Sequence, residues 1–348
     1  MLLAYLHRVA AHENLSSREA HDAMLRILDG EATVPQVAAF LVALRMKGET
    51  ADELTGFARA LREKSHRVEV ALDRGEPLLD TCGTGGDGAG TFNISTVAAF
   101  VIAGAGVRVA KHGNRSISGR CGSADLLEAL GVRIIVDPRQ VAESIRTVGI
   151  GFMFAPAHHP AMKHAQPARL ELKMRTVFNL LGPLANPAGA QRQLIGAPSE
   201  HAAELMAGAL AELGTERTFV VHGAGGLDEV STAGPTVAFE VAGGAVTRHV
   251  WEPEDFGVSR ATLEDVRGGD LARNVEIART VLDGSSGPHR DIVLVNAAAA
   301  LVAAGRAVGL REGVAVASES IDSSAAREKL RALAEFTEEV LRSTEARS

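Results

Sequence analysis

The chain has 348 residues, 46% hydrophobic but only 4% aromatic, and a formal net charge of −7. That length accommodates two domains around a mostly aliphatic core, and the acidic balance argues against general nucleic-acid binding. With no apolar run long enough for a membrane, no ordered signal-peptide pattern, and only Cys82 and Cys121, the expectation is a soluble, cytoplasmic, reduced protein with no membrane partner.

The first seventy residues predict helices. Ser16-x-x-Glu19, Thr33-x-x-Gln36 and Thr50-x-x-Glu53 are capping-box patterns, each ahead of an apolar-periodic stretch. Pro35 sits where a first-turn proline is tolerated, and Gly30 and Gly48 punctuate helix ends. No strand pattern precedes Leu78, so a small helical domain over residues 1–70 is expected ahead of an α/β body over 71–348. In that body, strands are expected at Pro77–Leu79, Val107–Ala110, Arg133–Val136, Gly151–Phe154, Gln193–Ile195 and Thr218–Val221. Helices are expected from Val97, over Ser123–Leu130, over Pro138–Val148 behind Asp137, and over His201–Leu213 behind Ser199. Strands separated by helices of this length predict a mostly parallel central sheet. Thr236–Trp251 alternates like an antiparallel pair around Ala242-Gly-Gly244, and long helices at Leu271–Leu282 and Ser323–Leu341 close the chain.

The most informative stretch is Asp80-Thr-Cys-Gly-Thr-Gly-Gly-Asp-Gly-Ala-Gly-Thr-Phe-Asn-Ile-Ser-Thr96. A glycine loop between a strand and a helix exposes backbone N–H groups beside the positive end of a helix dipole, which makes an anion site, most often for phosphate. Gly83-x-Gly85-x-x-Gly88 satisfies the dinucleotide fingerprint as a string. That fingerprint also needs an acid about 20 residues on, and no Asp or Glu falls between Ala89 and Ala124. The loop has no lysine either, which excludes a Walker P-loop.

A second strand–loop–helix junction follows, Lys111-His-Gly-Asn-Arg-Ser-Ile-Ser-Gly-Arg-Cys-Gly-Ser123, with cations and small hydroxyls suited to several phosphate oxygens. Two such loops at one end of a parallel sheet would face one crevice and fit a substrate with two phosphate groups. Asp228-Glu229 follows a glycine turn. By composition it is a solvated acidic pair, although Mg²⁺ is commonly held by one or two carboxylates with phosphates and water. His158 and His159 together could suggest a metal or general base, but His159, followed by Pro, is expected to pack at the domain junction, and both cysteines are read as structural.

Gly-Thr-Gly-Gly-Asp-Gly, Thr-Phe-Asn-Ile-Ser-Thr, Lys-His-Gly-Asn-Arg and Gly-Ser-Ala-Asp together resemble the anthranilate phosphoribosyltransferases of tryptophan biosynthesis. So do His159-Pro-Ala-Met-Lys163 and Arg175-Thr-Val-Phe-Asn-Leu-Leu-Gly-Pro-Leu-Ala-Asn-Pro187. The resemblance covers nearly the whole chain. It implies a small α-domain, joined by helices from about 160–190 and hinged to a large α/β domain of nucleoside phosphorylase/phosphoribosyltransferase type, and a homodimer through the small domains. The implied reaction moves a 5-phosphoribosyl group from phosphoribosyl pyrophosphate (PRPP) to anthranilate, with Mg²⁺, as two ions, bound with the pyrophosphate.

Carried over by position, the implied PRPP contacts are Gly83, Gly86, Asp87, Thr91, Asn93, Ile94, Ser95 and Thr96, continuing through Lys111, His112, Gly113, Asn114, Arg115, Ser116, Ile117, Ser118, Gly119 and Ser123. Anthranilate contacts fall on Gly83, Asn114 and Arg169, with His112 lining the aromatic pocket. Lys111, Asn114 and Arg169 take the catalytic roles, and Ser95, Asp228 and Glu229 the metal. The chain departs from the family pattern at Leu170-Glu-Leu-Lys173, where a basic residue then Glu-Leu-Gly is common. It departs again at Gly119, Arg120 and Cys121, where Ser, Lys and Ser are frequent. Two alternatives remain at this stage: a transferase or phosphorylase of the same fold with another acceptor, and a non-catalytic nucleic-acid-binding relative.

Overall fold

The computed structural model of the chain describes residues 1–73, 75–85, 88–115, 121–135 and 137–345. Four helices come first, α1 (Leu2–Ala10), α2 (Ser17–Leu28), α3 (Val34–Lys47) and α4 (Ala51–Glu63). The capping boxes are formed: Glu19 N–H donates to Ser16 Oγ at 3.4 Å and Glu53 N–H to Thr50 Oγ1 at 3.3 Å, while Thr33 N–H donates to Gln36 Oε1 at 3.2 Å. Each bond satisfies a donor that a helix start would otherwise leave open.

The α/β body then runs β1 (Leu78–Gly83), α5 (Ile94–Gly104), β2 (Arg108–Gly113), α6 (Ser123–Ala129), α7 (Pro138–Thr147) and β3 (Ile150–Phe154). Three short helices follow, α8 (Ala155–His158), α9 (Gln166–Leu172) and α10 (Phe178–Leu184). The chain returns to the sheet with β4 (Arg192–Gly196), α11 (Glu200–Leu213), β5 (Arg217–Gly223), β6 (Thr236–Ala242) and β7 (Ala245–Trp251). It closes with α12 (Leu271–Leu282), α13 (Pro288–Ala303), α14 (Leu310–Asp322) and α15 (Ala325–Glu345).

The seven strands lie in the order β3-β2-β1-β4-β5-β6-β7. The first five are parallel, and β6 and β7 add an antiparallel hairpin at one edge. Gly243 and Gly244 make its turn with φ of 57° and 79°, the left-handed backbone that two-residue hairpins require. From β1 the chain winds outward through β2 to β3, then crosses back to β4 on the other side of β1. The reversal opens a crevice at the carboxyl ends of β1 and β4, where open α/β sheets bind their ligands.

Strand side chains alternate between two buried layers. Leu194, Phe219 and Val221 face a layer built from α5 and α12–α15. Ile195 and Val220 face the opposite layer, where α11 packs together with α1–α4, α9 and α10. The helical region therefore shares its core with one face of the sheet.

The expected strand at Arg133–Val136 is absent over its described part, 133–135 (Val136 lies outside the described residues). There Arg133 N–H donates to Thr337 Oγ1 of α15 at 3.0 Å, a side chain in place of a neighbouring strand. Helices α13 and α14 were not anticipated from the sequence. Among the described residues, no helix is long and apolar enough to cross a membrane.

Candidate active site

The site is built at the switch point. β1 ends at Gly83, and Thr84 N–H donates to Gly196 O at the end of β4, 3.0 Å. Gly85 takes the left-handed conformation, φ 70°, which aims its N–H at Asp228 Oδ2, 2.6 Å away. A Cβ at Gly83 would stand 2.5 Å from the same carboxylate oxygen, so glycine there permits the approach of the 228–229 segment. Gly196 is still tighter against the Asp228 backbone. Beside Asp228, Glu229 Oε1 accepts the Ser95 N–H at 3.2 Å, at the amino end of α5. Both carboxylates are buried, 8% exposed each. The pair is therefore part of the crevice, and the solvated-surface reading from composition does not hold.

Lys111 enters from β2 and is 3% exposed. Its ammonium donates to Thr81 O at 2.7 Å and reaches Ser95 Oγ at 3.5 Å. Among the described residues no carboxylate pairs with it within ion-pair distance. Buried Asp80 lies close by, accepting His112 N–H at 3.1 Å and Asn186 Nδ2 at 2.8 Å. Burial pushes the Asp80 carboxyl up, and the Lys111 charge pulls it back down. Asn186 also donates to Ala110 O at 3.0 Å, which ties β1, β2 and the chain leading into β4 at one point.

Asn93 caps α5 by position and sends its Nδ2 to Cys121 O at 3.2 Å, while Ile94 and Thr96 are buried in the helix's first turn. Thr91 forms an isolated bridge with Arg267. The mouth of the second loop is stapled by Asn114 N–H donating to Ser123 Oγ at 3.1 Å, and a Cβ on Gly113 would collide with Ser123. Arg115 is engaged by side chains of α6. Its guanidinium grips Glu128 with two bonds of 2.6 and 2.9 Å and Asp125 with one of 2.9 Å. Gly86, Asp87, Ser116, Ile117, Ser118 and Gly119 lie outside the described residues.

Arg169 stands on α9 with its guanidinium 5.3 Å from the Phe178 ring centroid. Burial lowers its pKa from the usual arginine value, and no carboxylate among the described residues pairs with it. A half-buried, planar cation without an anionic partner is suited to a ligand carboxylate. His158 is fully buried, its Nδ1 3.2 Å from His66 O, and the His159 ring lies 5.2 Å from that of His112. Burial pushes His112 and His159 down, so both rings stay neutral at pH 7.

Several residues of the site escaped the sequence reading. Thr84, Asn186, Gly196 and Arg175 act through backbone contacts or through segments far apart in the chain. Thr84, Arg175 and Asn186 lie inside motifs read from the sequence but were given no role there, and Gly196 lies outside those motifs.

A helical region shared with a parallel sheet, and a glycine loop facing buried acids at its switch point, define a class. Residues 75–327 match the glycosyl transferase family a/b domain, and residues 3–65 match its helical bundle domain. The chain is 65% identical over 335 residues to the anthranilate phosphoribosyltransferase of Solibacter usitatus, covering 96% of this chain and 98% of that one. With the enzyme of the same name from Chloroflexus aggregans, identity is 54%, covering 92% and 94%. Among solved structures, the anthranilate phosphoribosyltransferase of Thermus thermophilus superposes with a TM-score of 0.90 at 44% identity, covering 96% of this chain and 99% of that one. The Saccharomyces cerevisiae enzyme in complex with PRPP and Mg gives 0.88 at 31%, covering 97% and 98%. This chain belongs to the anthranilate phosphoribosyltransferase family.

Proposed function

We propose that the protein transfers the 5-phosphoribosyl group from PRPP to the amino group of anthranilate, in tryptophan biosynthesis. The observation that carries this is the facing arrangement of two chemistries. On one side, Lys111, the α5 amino end and the Asp228–Glu229 pair converge on the glycine loop. On the other, Arg169 offers a guanidinium with no carboxylate partner among the described residues. In the transfer, a C–N bond forms at the ribose anomeric carbon as its C–O bond to pyrophosphate breaks. Pyrophosphate keeps the bonding pair, and the amine loses a proton to solvent.

The leaving group needs fixed positive charge and N–H donors where its negative charge develops. Lys111 supplies the charge with its ammonium donors, and the amino end of α5 adds the positive end of a helix dipole. Arg169 binds the anthranilate carboxylate, and Asn114 orients the ring so that its amine meets the anomeric carbon. An aromatic amine is already a free base at neutral pH, so the histidines need not take its proton. Closure about the chain segments joining the helical region to the sheet would exclude water, which otherwise competes for the donor.

The donor set fits Mg²⁺. Asp228, Glu229 and the Ser95 hydroxyl are hard oxygen ligands at the phosphate loop. Among the described residues no group of three or more His, Cys, Asp or Glu could hold a metal alone. That suits an ion completing its shell with phosphate and water oxygens. When bound, Mg²⁺ neutralises charge on the departing pyrophosphate.

A homodimer through the helical region is part of the same reading. Its supporting observation is the exposure of Met46 (74%) on α3 and Leu170 (57%) on α9, and sedimentation velocity tests it. The reaction is tested by following anthranilate fluorescence with PRPP and Mg²⁺. Loss of signal that requires Mg²⁺, and that is weakened in Arg169→Ala, is the expected result. Donor binding without any loss would point to another acceptor.

A further inference from the structure

Arg175 lies in the short segment between α9 and α10, six positions after Arg169 in the chain. Its side chain reaches across the crevice to the donor loop. Nη1 donates to Gly85 O at 2.7 Å, and Nη2 lies 3.5 Å from Thr84 Oγ1. Gly85 is thereby held from both sides, because its N–H donates to Asp228 Oδ2 at 2.6 Å. Thr84 shows the same doubling, with Oγ1 between Arg175 and Asp228, 3.4 Å from the latter.

A left-handed glycine is the most adaptable backbone in such a loop, and an unrestrained one would sample both signs of φ. Two charge-assisted hydrogen bonds to a single residue, one on its N–H and one on its C=O, restrict it to the conformation that points the N–H at Asp228.

We propose that Arg175 is a positioning residue for the PRPP loop. It anchors Thr84 and Gly85 to the segment that carries the acceptor arginine, so that the orientation of Asp228 depends on a contact made from the acceptor side. This rests on the transferase reading above. Arg175 touches neither substrate in this role; it acts through Gly85. Its removal therefore weakens the donor site, while removal of Arg169 weakens the acceptor site.

The test compares the full-length wild type with Arg175→Ala, Arg175→Lys and Arg169→Ala. It uses anthranilate fluorescence kinetics, calorimetric titration with PRPP and Mg²⁺, and thermal melting. In Arg175→Ala the expected result is a rise in PRPP KM and Kd of about tenfold or more, as for loss of a charged hydrogen bond. Anthranilate KM stays within about twofold and the melting temperature is unchanged. Arg175→Lys keeps the charge without the fork and recovers part of the donor affinity. Arg169→Ala shows the opposite split.

A PRPP Kd within about twofold of wild type in Arg175→Ala would overturn the proposal. So would equal rises in both KM values with a lowered melting temperature, which would mark general structural support. If the wild type binds PRPP but does not consume anthranilate, the acceptor assignment fails, and the Kd comparison still decides the role of Arg175. If it binds no PRPP, the transferase reading and this proposal fall together.

Discussion

A buried imidazole is stable only as long as it stays neutral, and His159 shows the cost of that condition. Burial is the main reason its pKa falls to about 4, with the neighbouring His158 and His66 pushing the same way and the Ala185 backbone opposing. In the unfolded chain the ring titrates near about 6.5. Between those values the unfolded state binds a proton that the folded state refuses, so stability falls as pH drops through this window. The His159 contribution to that loss is about 2 kcal/mol between about pH 7 and pH 5. Urea unfolding at both pH values should show it, with a smaller fall in His159→Gln; an equal fall in the variant would place the proton elsewhere. Lys173 carries a different local cost. It ends α9 with φ 47° and ψ 35°, a left-handed conformation that a Cβ makes unfavourable. The family pattern commonly has glycine there. Lys173→Gly is expected to raise stability by about 1 kcal/mol, read from the urea midpoint at unchanged slope. A loss of stability would mean that the lysine makes up for its backbone through its side chain.

At the scale of elements, what could be read from the sequence depended on whether a helix or strand faces water on one side. The amphipathic helices α2 and α4 announced themselves through Ser16, Glu19, Thr50 and Glu53, because their capping groups and apolar stripes are both local. Helix α13 gave no such signal. Every residue from Ile292 to Ala303 is buried, so no polar face marks a helical period. The described residues 133–135 failed in the opposite direction: their composition suits a strand, but the place beside β2 is taken by β3 and Arg133 N–H bonds the Thr337 hydroxyl of α15 instead. Glu53 exceeded its expected role as a capping residue. It is fully buried, and its carboxylate accepts from Leu15 N–H at 3.0 Å, Thr50 N–H at 2.9 Å and Lys47 Nζ at 2.9 Å. One side chain thus joins the end of α3 to the starts of α2 and α4. Glu53→Ala would leave the buried Leu15 N–H and the part-buried Thr50 N–H without this acceptor, and a loss of about 3 kcal/mol is expected. Part of that loss falls on Lys47, whose buried ammonium keeps Asn14 Oδ1 and Gly48 O but loses its carboxylate. Denaturant unfolding that placed the loss below about 1 kcal/mol would show that water reaches the cavity.

For the whole molecule, the glycine loops predicted a phosphate crevice, but its acidic half became legible only in three dimensions. Asp228 and Gly85 are 143 positions apart, and the sheet order that joins them comes from a crossover no local pattern encodes. The assembled crevice makes a prediction about metal and fold. Asp228 accepts the Gly85 N–H and Glu229 the Ser95 N–H, so each carboxylate of the pair has a partner within the protein. A chelator should therefore leave the melting temperature of the free protein unchanged. The donor is different, because PRPP carries negative charge toward two buried acids and needs a cation between them. PRPP with Mg²⁺ at about one hundred times Kd should stabilise the protein by roughly 2.7 kcal/mol, and most of that gain should disappear when the chelator is added. Stabilisation by PRPP that persists in chelator would assign the donor to Lys111 and the helix end alone. A chelator that lowers the melting temperature of the free protein would instead make the metal part of the fold.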